Sequence, residues 1–410
     1  MKETVEYGLI GEHLIHSFSP AIHRRLGNYD YQLLELSPEE LGPFLERGKF
    51  RGLNVTIPYK KTVIPYCSQL TPQAARIGSV NTLVRRKDGS LLGHNTDYDG
   101  FLYLLMRAGF SVAGKKALVL GSGGASLTVG AVLQDLGARE VVTISRKGPN
   151  HYGNLYLHAD AQVLVNTTPV GMFPHTDEAI VDLTIFPQLE GVFDLIYNPA
   201  RTRLLLQAQD LGLVWANGLG MLTAQAKAAA EYFMDQRISD DRVEKITRAL
   251  AMEQTNIMLV GMPGCGKTTV GRALAQRLGR ELADTDSIVE QQAGCSIPEL
   301  FSREGEEGFR RREHQALCQV SGRSGLIIAT GGGIVTRAEN LPFLRENSVV
   351  FFLRCPLDKL ETKGRPLSQN GNLEEMYRRR LPMYLQVADW EVDTEIVEKT
   401  VEEIIGRLEE

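Results

Sequence analysis

Cysteine is sparse in this sequence. The five residues, Cys67, Cys265, Cys295, Cys318 and Cys355, are odd in number and widely separated, which leaves neither a disulfide framework nor zinc-type ligand spacing. They read as reduced thiols. Long apolar runs are also missing: no stretch approaches the roughly 20 residues that span a bilayer, and the opening MKETVEYG lacks the basic start and apolar core of a secretory signal. Neither sign of charge prevails. With 45 basic and 50 acidic residues the net charge is -5, so no global field attracts nucleic acid or an anionic membrane, and any cationic site must be local. Repeats and low-complexity tracts are absent. The expectation is a cytoplasmic protein whose partners are small molecules, with no nucleic-acid or membrane partner.

What is present is the composition of a globular chain, 43% hydrophobic and 23% charged, over 410 residues. That length exceeds one core and predicts two to four domains at roughly 100 to 200 residues each. Short β-rich runs alternate with helical patterns: KALVLGSGG, EVVTISR, AQVLVNTTPVG, GVFDLIYN, NIMLVGMPG, GLIIATGGG and SVVFFLR. Such alternation predicts parallel sheets of the α/β class, with ligand sites beyond the carboxyl ends of the strands. The glycines here follow the strands. A helix-forming stretch from about Met221 to Met252 precedes a new strand at Asn256, with no Gly/Ser-rich or Pro-rich linker, which places the main boundary near Gln254.

The strongest local pattern is NIMLVGMPGCGKTTVGRALAQRLG, a buried strand, a G-x-x-x-x-G-K-T loop and an amphipathic helix. Gly261, Gly264 and Gly266 permit backbone that aims N–H groups inward, with Cys265 and Thr269 completing the cradle. Lys267 reaches the β- and γ-phosphates of ATP, and the Thr268 hydroxyl ligates Mg²⁺. Downstream, Asp284 and Asp286 stand two apart at a strand end, where one carboxylate suits the metal and the other a substrate hydroxyl. The segments GEEGFRRREHQAL, TGGGIV, KGRPL and RRRLPMY follow.

In this order the set resembles shikimate kinase across residues 256 to 395. The resemblance implies that Asp286 contacts substrate hydroxyls, that Arg310 and Arg380 bind the substrate carboxylate, and that Gly331, Gly332 and Gly333 line the substrate site. It also implies that the lid residue Arg365 meets the ATP phosphates, with Asp284 near the metal. Paired guanidinium groups match a carboxylate in bidentate fashion, consistent with an acid as substrate. Taken alone, Arg310 in a run of three arginines reads as a solvated helix face, although Glu313 three residues on could orient it. The lid carries Glu361 where family members often have arginine.

Upstream, LVLGSGGASLTVGAVLQDL reads as strand, glycine turn and helix. Gly121, Ser122, Gly123, Gly124 and Ala125 form the turn, but Ser126 holds the third glycine position of the dinucleotide fingerprint. The next strand, EVVTIS, ends in Ser145, Arg146 and Lys147 rather than an acidic residue; two cations there favour a 2′-phosphate, hence NADP(H) over NAD. Only GPNHYGNLYLHAD separates Lys147 from the following strand, too short for a full crossover helix.

Around this unit lie HSFSPAIH, GLNVTIPYKK, IGSVNTLV, GHNTDYDGF, NTTPVGM, DLIYNP and NGLGMLTAQA, and together they resemble shikimate dehydrogenase over residues 5 to about 250. The resemblance implies a substrate domain of residues 1–100 and 218–253, an NADP-binding Rossmann domain of residues 101–217, and a kinase domain of residues 254–410. It implies Lys60 and Asp97 as catalytic dyad, and Ser17, Ser19, Thr56, Asn81, Tyr197 and Gln225 around the substrate. Thr167 and Gly218 join the cofactor contacts. Lys61 is expected to be merely solvated. Ser19 before Pro20 also reads as an ordinary N-cap. The implied function is reduction of 3-dehydroshikimate followed by phosphorylation of shikimate; the alternatives are a quinate/shikimate dehydrogenase or a non-catalytic ligand-sensing half.

Overall fold

The structure is a computed structural model that describes residues 5–14, 17–47, 49–361 and 372–409. Its β-branched and aliphatic runs form three sheets. The first contains β1 (Tyr7–Gly11), β2 (Tyr31–Glu35), β3 (Gly52–Val55), β4 (Gln69–Leu70), β5 (Thr82–Arg85) and β6 (Leu91–His94), in the order β2-β1-β3-β5-β6-β4. This sheet is mixed: β5 runs antiparallel to both β3 and β6. The reason is local. Arg86 N–H bonds the Ser90 carbonyl, Asp88 accepts from Ser90 N–H, and Gly89 takes a φ of 86°, so the chain reverses in one tight turn without a crossover.

The second sheet contains β7 (Lys116–Leu120), β8 (Glu140–Ile144), β9 (Val163–Asn166), β10 (Gly191–Asp194) and β11 (Val214–Ala216), in the order β11-β10-β9-β7-β8, all parallel. From β7 the chain moves outward to β8 and then returns to the other side as β9, which opens a crevice at the carboxyl ends of β7 and β9. The short link after β8 holds only a 3-10 helix, Tyr152–His158, as its length predicts. Helix Asp97–Arg107 packs along helix Leu219–Met234, and Gly100 permits the approach: a Cβ there would stand 2.6 Å from the Met221 carbonyl oxygen.

The third sheet contains β12 (Asn256–Val260), β13 (Leu282–Asp284), β14 (Ile327–Ala329), β15 (Ser348–Arg354) and β16 (Trp390–Asp393), in the order β13-β14-β12-β15-β16, again parallel. Its centre is fully apolar. Ile257, Met258, Leu259, Val260, Phe351 and Phe352 are all buried, each contributing about 1.5–3 kcal/mol of transfer free energy.

The chain folds into two compact units. One comprises Met1–Gly171, Glu178–Tyr197 and Gln207–Ala249; the other comprises Met172–Asp177, Asn198–Leu206 and Leu250–Glu410. Within the second unit Arg201 is a buried clamp. It donates Nε to the Arg345 carbonyl (2.9 Å), Nη1 to Asp389 Oδ1 (2.9 Å) and Nη2 to the Ser348 carbonyl, while its own N–H bonds the Glu346 carbonyl (2.7 Å). Among the described residues, no helix is long and apolar enough to cross a membrane.

Candidate active sites

In the first unit, β3 ends at Val55 and the chain turns through Thr56 to Lys60, while Asp97 opens the helix Asp97–Arg107. Lys60 Nζ donates to Asp97 Oδ2 at 2.5 Å, and both side chains are largely buried. Lys61 is exposed. Asn81 Nδ2 reaches Gln225 Oε1 at 3.4 Å, and Asn81 Oδ1 accepts the Thr96 N–H at 2.7 Å, so three elements converge beside the ion pair. Thr56 is half-buried, and the Tyr197 ring lies 5.0 Å from that of Phe18, with burial raising its phenol pKa. The N-cap reading of Ser19 is corrected. Ser19 is the first helical residue and Phe18 holds the cap position in αR geometry, while Ser17 Oγ accepts the Ser19 N–H at 3.3 Å. The two hydroxyls nonetheless sit together at the start of that helix.

The glycine turn has a steric cause. Gly121 has φ 108°, and a Cβ on it would stand 2.7 Å from Thr167 Oγ1, whose hydroxyl is itself tied to the Leu120 carbonyl. Gly123 caps the helix Gly124–Asp135 without a side-chain acceptor, which leaves N–H groups of the first turn available to an anion. At the third fingerprint position Ser126 donates to the Gly123 carbonyl (2.7 Å) and closes the turn from within. Ser122 and Ala125 complete it. A Cβ on Gly124 would stand 3.3 Å from Ser79 Oγ and 3.6 Å from Lys60 Cδ, so the turn abuts the lysine. Ser145 bonds the Lys147 carbonyl, and Arg146 and Lys147 are exposed at the end of β8. Gly218 caps the helix Leu219–Met234 so close to the Leu195 carbonyl that no Cβ fits. These residues fit a phosphorylated dinucleotide: a cradle that a Cβ would fill, a helix N-terminus, and two exposed cations.

In the second unit Gly261, Gly264 and Gly266 have φ of 151°, 84° and 90°. Lys267 opens the helix Lys267–Leu278, and its Nζ donates to the carbonyls of Gly261 and Met262, both at 2.9 Å, within 3.7 Å of Cys265 Sγ. The Thr268 hydroxyl donates to Asp284 Oδ2 at 2.6 Å, and Asp284 Oδ1 accepts from Asp286 and Ser287 N–H groups to cap the next helix. A hydroxyl and a carboxylate side by side at a phosphate loop fit Mg²⁺ held with a nucleotide, as oxygen ligands suit that hard cation.

Beside this loop, Pro263, Asp286, Phe309, Arg310, Glu313 and Arg380 wall a cavity floored by Gly331, Gly332 and Gly333. The floor explains the triple glycine. A Cβ on Gly331 would overlap Glu313 Oε1 and stand 2.6 Å from Asp286 Oδ1; one on Gly332 would stand 2.5 Å from the Pro263 ring; one on Gly333 would overlap the Arg310 guanidinium. Arg310 is buried and bonds Glu313 Oε2 at 2.6 Å, so the solvated-face reading does not hold. Arg380 Nη1 and the Tyr384 hydroxyl both donate to the Gly332 carbonyl, at 3.0 and 2.5 Å. Burial lowers the pKa of Arg380. Burial, then Glu313 and Asp284, pushes Asp286 up to about 7. Asp286 Oδ1, Glu313 Oε1, Arg310 Nε and Arg380 Nε are buried with no hydrogen-bond partner among the described residues. Unmet groups of this kind cost about 1–3 kcal/mol each unless a ligand meets them. Arg365 lies outside the described residues. Glu313 as part of the cavity wall, and Tyr384 as a support of the Gly332 carbonyl, were not foreseen from the sequence.

The two sites define the class: an oxidoreductase fold with a lysine–aspartate pair at a dinucleotide turn, followed by a P-loop phosphotransferase. Comparison with known proteins agrees. Residues 9–83 match the family described as shikimate dehydrogenase substrate binding domain, and residues 263–409 match shikimate kinase. A shikimate dehydrogenase (NADP(+)) of Clostridium perfringens is 35% identical over 265 residues, covering 60% of this chain and 97% of the relative. Among solved structures, a chorismate mutase/shikimate 5-dehydrogenase fusion protein from Clostridium acetobutylicum aligns with a TM-score of 0.57 and 35% identity, over 60% of this chain and 97% of that one. Shikimate 5-dehydrogenase from Thermus thermophilus in complex with NADP(H) and shikimate aligns with a TM-score of 0.55 and 31% identity, over 60% and 99%. The chain belongs to the shikimate dehydrogenase family through its N-terminal part and carries a shikimate kinase domain after it.

Proposed function

We propose that this chain is a bifunctional enzyme that reduces 3-dehydroshikimate to shikimate with NADPH and then phosphorylates the 3-hydroxyl of shikimate with Mg-ATP. The observation that carries the first activity is the buried Lys60–Asp97 pair, 2.5 Å apart and next to the glycine turn. NADPH would supply the hydride. Lys60 would donate a proton to the substrate carbonyl oxygen, while Asp97 orients the ammonium and accepts from a ring hydroxyl. Asn81, Gln225, Thr56 and Tyr197 would bind the remaining hydroxyls and the ring, with the Ser17 and Ser19 hydroxyls on the carboxylate. Gly121, Ser122, Gly123, Gly124, Ala125, Thr167 and Gly218 would hold the dinucleotide, with Ser145, Arg146 and Lys147 on its 2′-phosphate.

The kinase reading rests on the unmet polar groups of the cavity beside the P-loop. ATP with Mg²⁺ would supply the phosphoryl group. Arg310 and Arg380 would clamp the substrate carboxylate, and Asp286 would accept the proton of the attacking hydroxyl. Gly261, Gly264, Cys265, Gly266, Lys267, Thr268 and Thr269 would cradle the phosphates, with Thr268 and Asp284 toward the metal and Arg365 on the triphosphate.

Two steady-state assays test the whole: oxidation of shikimate with NADP⁺ against NAD⁺, and phosphorylation of shikimate with Mg-ATP. Turnover in both, with preference for NADP⁺, is expected. Absence of either would sink the bifunctional reading.

A further inference from the structure

One hydrogen-bonded chain leads from the interior of the first sheet to the dehydrogenase cleft. Tyr31 on β2 donates its hydroxyl to Asn54 Oδ1 at 2.8 Å. Asn54 on β3 donates Nδ2–H to Thr82 Oγ1 at 3.2 Å and reaches the Asn81 carbonyl at 3.4 Å. Thr82, the first residue of β5, stands 3.2 Å from Asn81 Oδ1 and 3.0 Å from Thr96 Oγ1. Thr96, which precedes Asp97, gives both its N–H (2.7 Å) and its hydroxyl (3.2 Å) to Asn81 Oδ1, and that hydroxyl also lies 3.5 Å from Gln225 Oε1. All of these residues are buried.

Chemistry sets the direction of the chain. The Tyr31 ring stacks on His23, with centroids 3.8 Å apart, and burial raises its phenol well above the ordinary tyrosine range, so the group remains a donor. By accepting that proton, Asn54 Oδ1 leaves Asn54 Nδ2 to face Thr82. Thr82 has a single hydroxyl proton. Having accepted from Asn54, it can donate only onward, to Asn81 Oδ1 or Thr96 Oγ1. The Thr96 N–H and the neighbouring hydroxyls that reach the Asn81 side chain meet its Oδ1, and Nδ2 is left pointing to Gln225 Oε1.

We propose that Tyr31, Asn54 and Thr82 are positioning residues of the dehydrogenase: they fix the Asn81 amide with its N–H₂ toward the substrate hydroxyls and brace the first turn that presents Asp97. They act through Asn81 and Thr96. The inference rests on the reading of Asn81 and Asp97 as substrate-facing.

Thr82→Val keeps the shape and removes the hydroxyl; Thr82→Ser keeps the hydroxyl. In the full-length chain, Thr82→Val is expected to raise KM for shikimate about tenfold, equivalent to ~1.4 kcal/mol, with KM for NADP⁺ within about twofold of wild type. Thr82→Ser should stay near wild type, and Tyr31→Phe should move the shikimate KM in the same direction as Thr82→Val. A wild-type shikimate KM in both Thr82→Val and Tyr31→Phe would overturn the proposal. So would a loss shared equally by Thr82→Ser, or an equal rise in KM for NADP⁺, since either would mean general loosening. If the wild-type chain itself fails to oxidise shikimate with NADP⁺, the reading of the cleft falls and this inference with it, an outcome separate from those above.

Discussion

Asp286 Oδ1 and Glu313 Oε1 converge on the point of backbone that Gly331 leaves bare. Burial raises the pKa of both carboxyl groups, Glu313 raises that of Asp286 further, and only Glu313 is answered by a direct hydrogen bond, from Arg310. Gly331→Ala would drive a methyl group between them. The expected outcome is a loss of about a hundredfold in kinase kcat/KM, ~2.7 kcal/mol, with dehydrogenase kinetics unchanged. Steady-state assays of both activities on one preparation check it.

On the assignment proposed above, the two chemistries use separate lysines. Lys60→Ala should lower dehydrogenase kcat by about 10²–10⁴ while the kinase stays near wild type, and Lys267→Ala should do the reverse. Paired assays on both variants decide this; loss of both activities in either variant would refute independent sites.

The helix that begins with Asp97 ends with Arg107, whose guanidinium bonds both oxygens of Glu244, at 2.6 and 3.0 Å. That bond, opposed by burial and helped by Arg248, lowers the Glu244 carboxyl to about 2. A carboxyl depressed in the folded state stabilises fully above its unfolded pKa, about 4.3, and the contribution fades as pH falls toward 2. Glu244→Gln should therefore lower stability above that window and flatten the acid limb of the profile within it. Denaturant unfolding followed through dehydrogenase activity at a series of pH values measures it.

Arg201 bonds two main-chain carbonyls and the Asp389 carboxylate, which in turn accepts the Val350 N–H at 2.8 Å. Arg201→Ala should destabilise the second unit by about 3 kcal/mol, because Asp389 and the carbonyls lose a buried donor. Adding Asp389→Asn should recover part of that loss. Thermal inactivation of the kinase activity reports both.

The phosphate loop was legible because its function lies in contiguous backbone: a strand, three glycines and a helix fix it without distant help. The Lys60–Asp97 pair was legible only through a family frame. Thirty-seven positions separate the two, and no periodicity joins them. Glu313 could be placed near Arg310 from its i,i+3 spacing, yet its contact with Gly331 depends on how the helix Ile297–Ser321 approaches the loop after β14. The antiparallel pair of β5 and β6 carries a local signal, the Asp88-Gly89 turn, although the strand runs read from the sequence all lie in the other two sheets. Thr82 carried none. A buried threonine in a strand looks like any other until Asn54 and Asn81 are brought beside it from the neighbouring backbone.

The amide of Asn81 does two things at once: it starts a helix through its oxygen and, on the assignment proposed above, greets the substrate through its nitrogen. A lineage drifting toward a different polyol could not exchange this residue without also moving Asp97. Substrate preference should therefore evolve through Thr56 or Tyr197, whose side chains start no helix, and variant libraries confined to those two positions should yield altered specificity more often than libraries at Asn81.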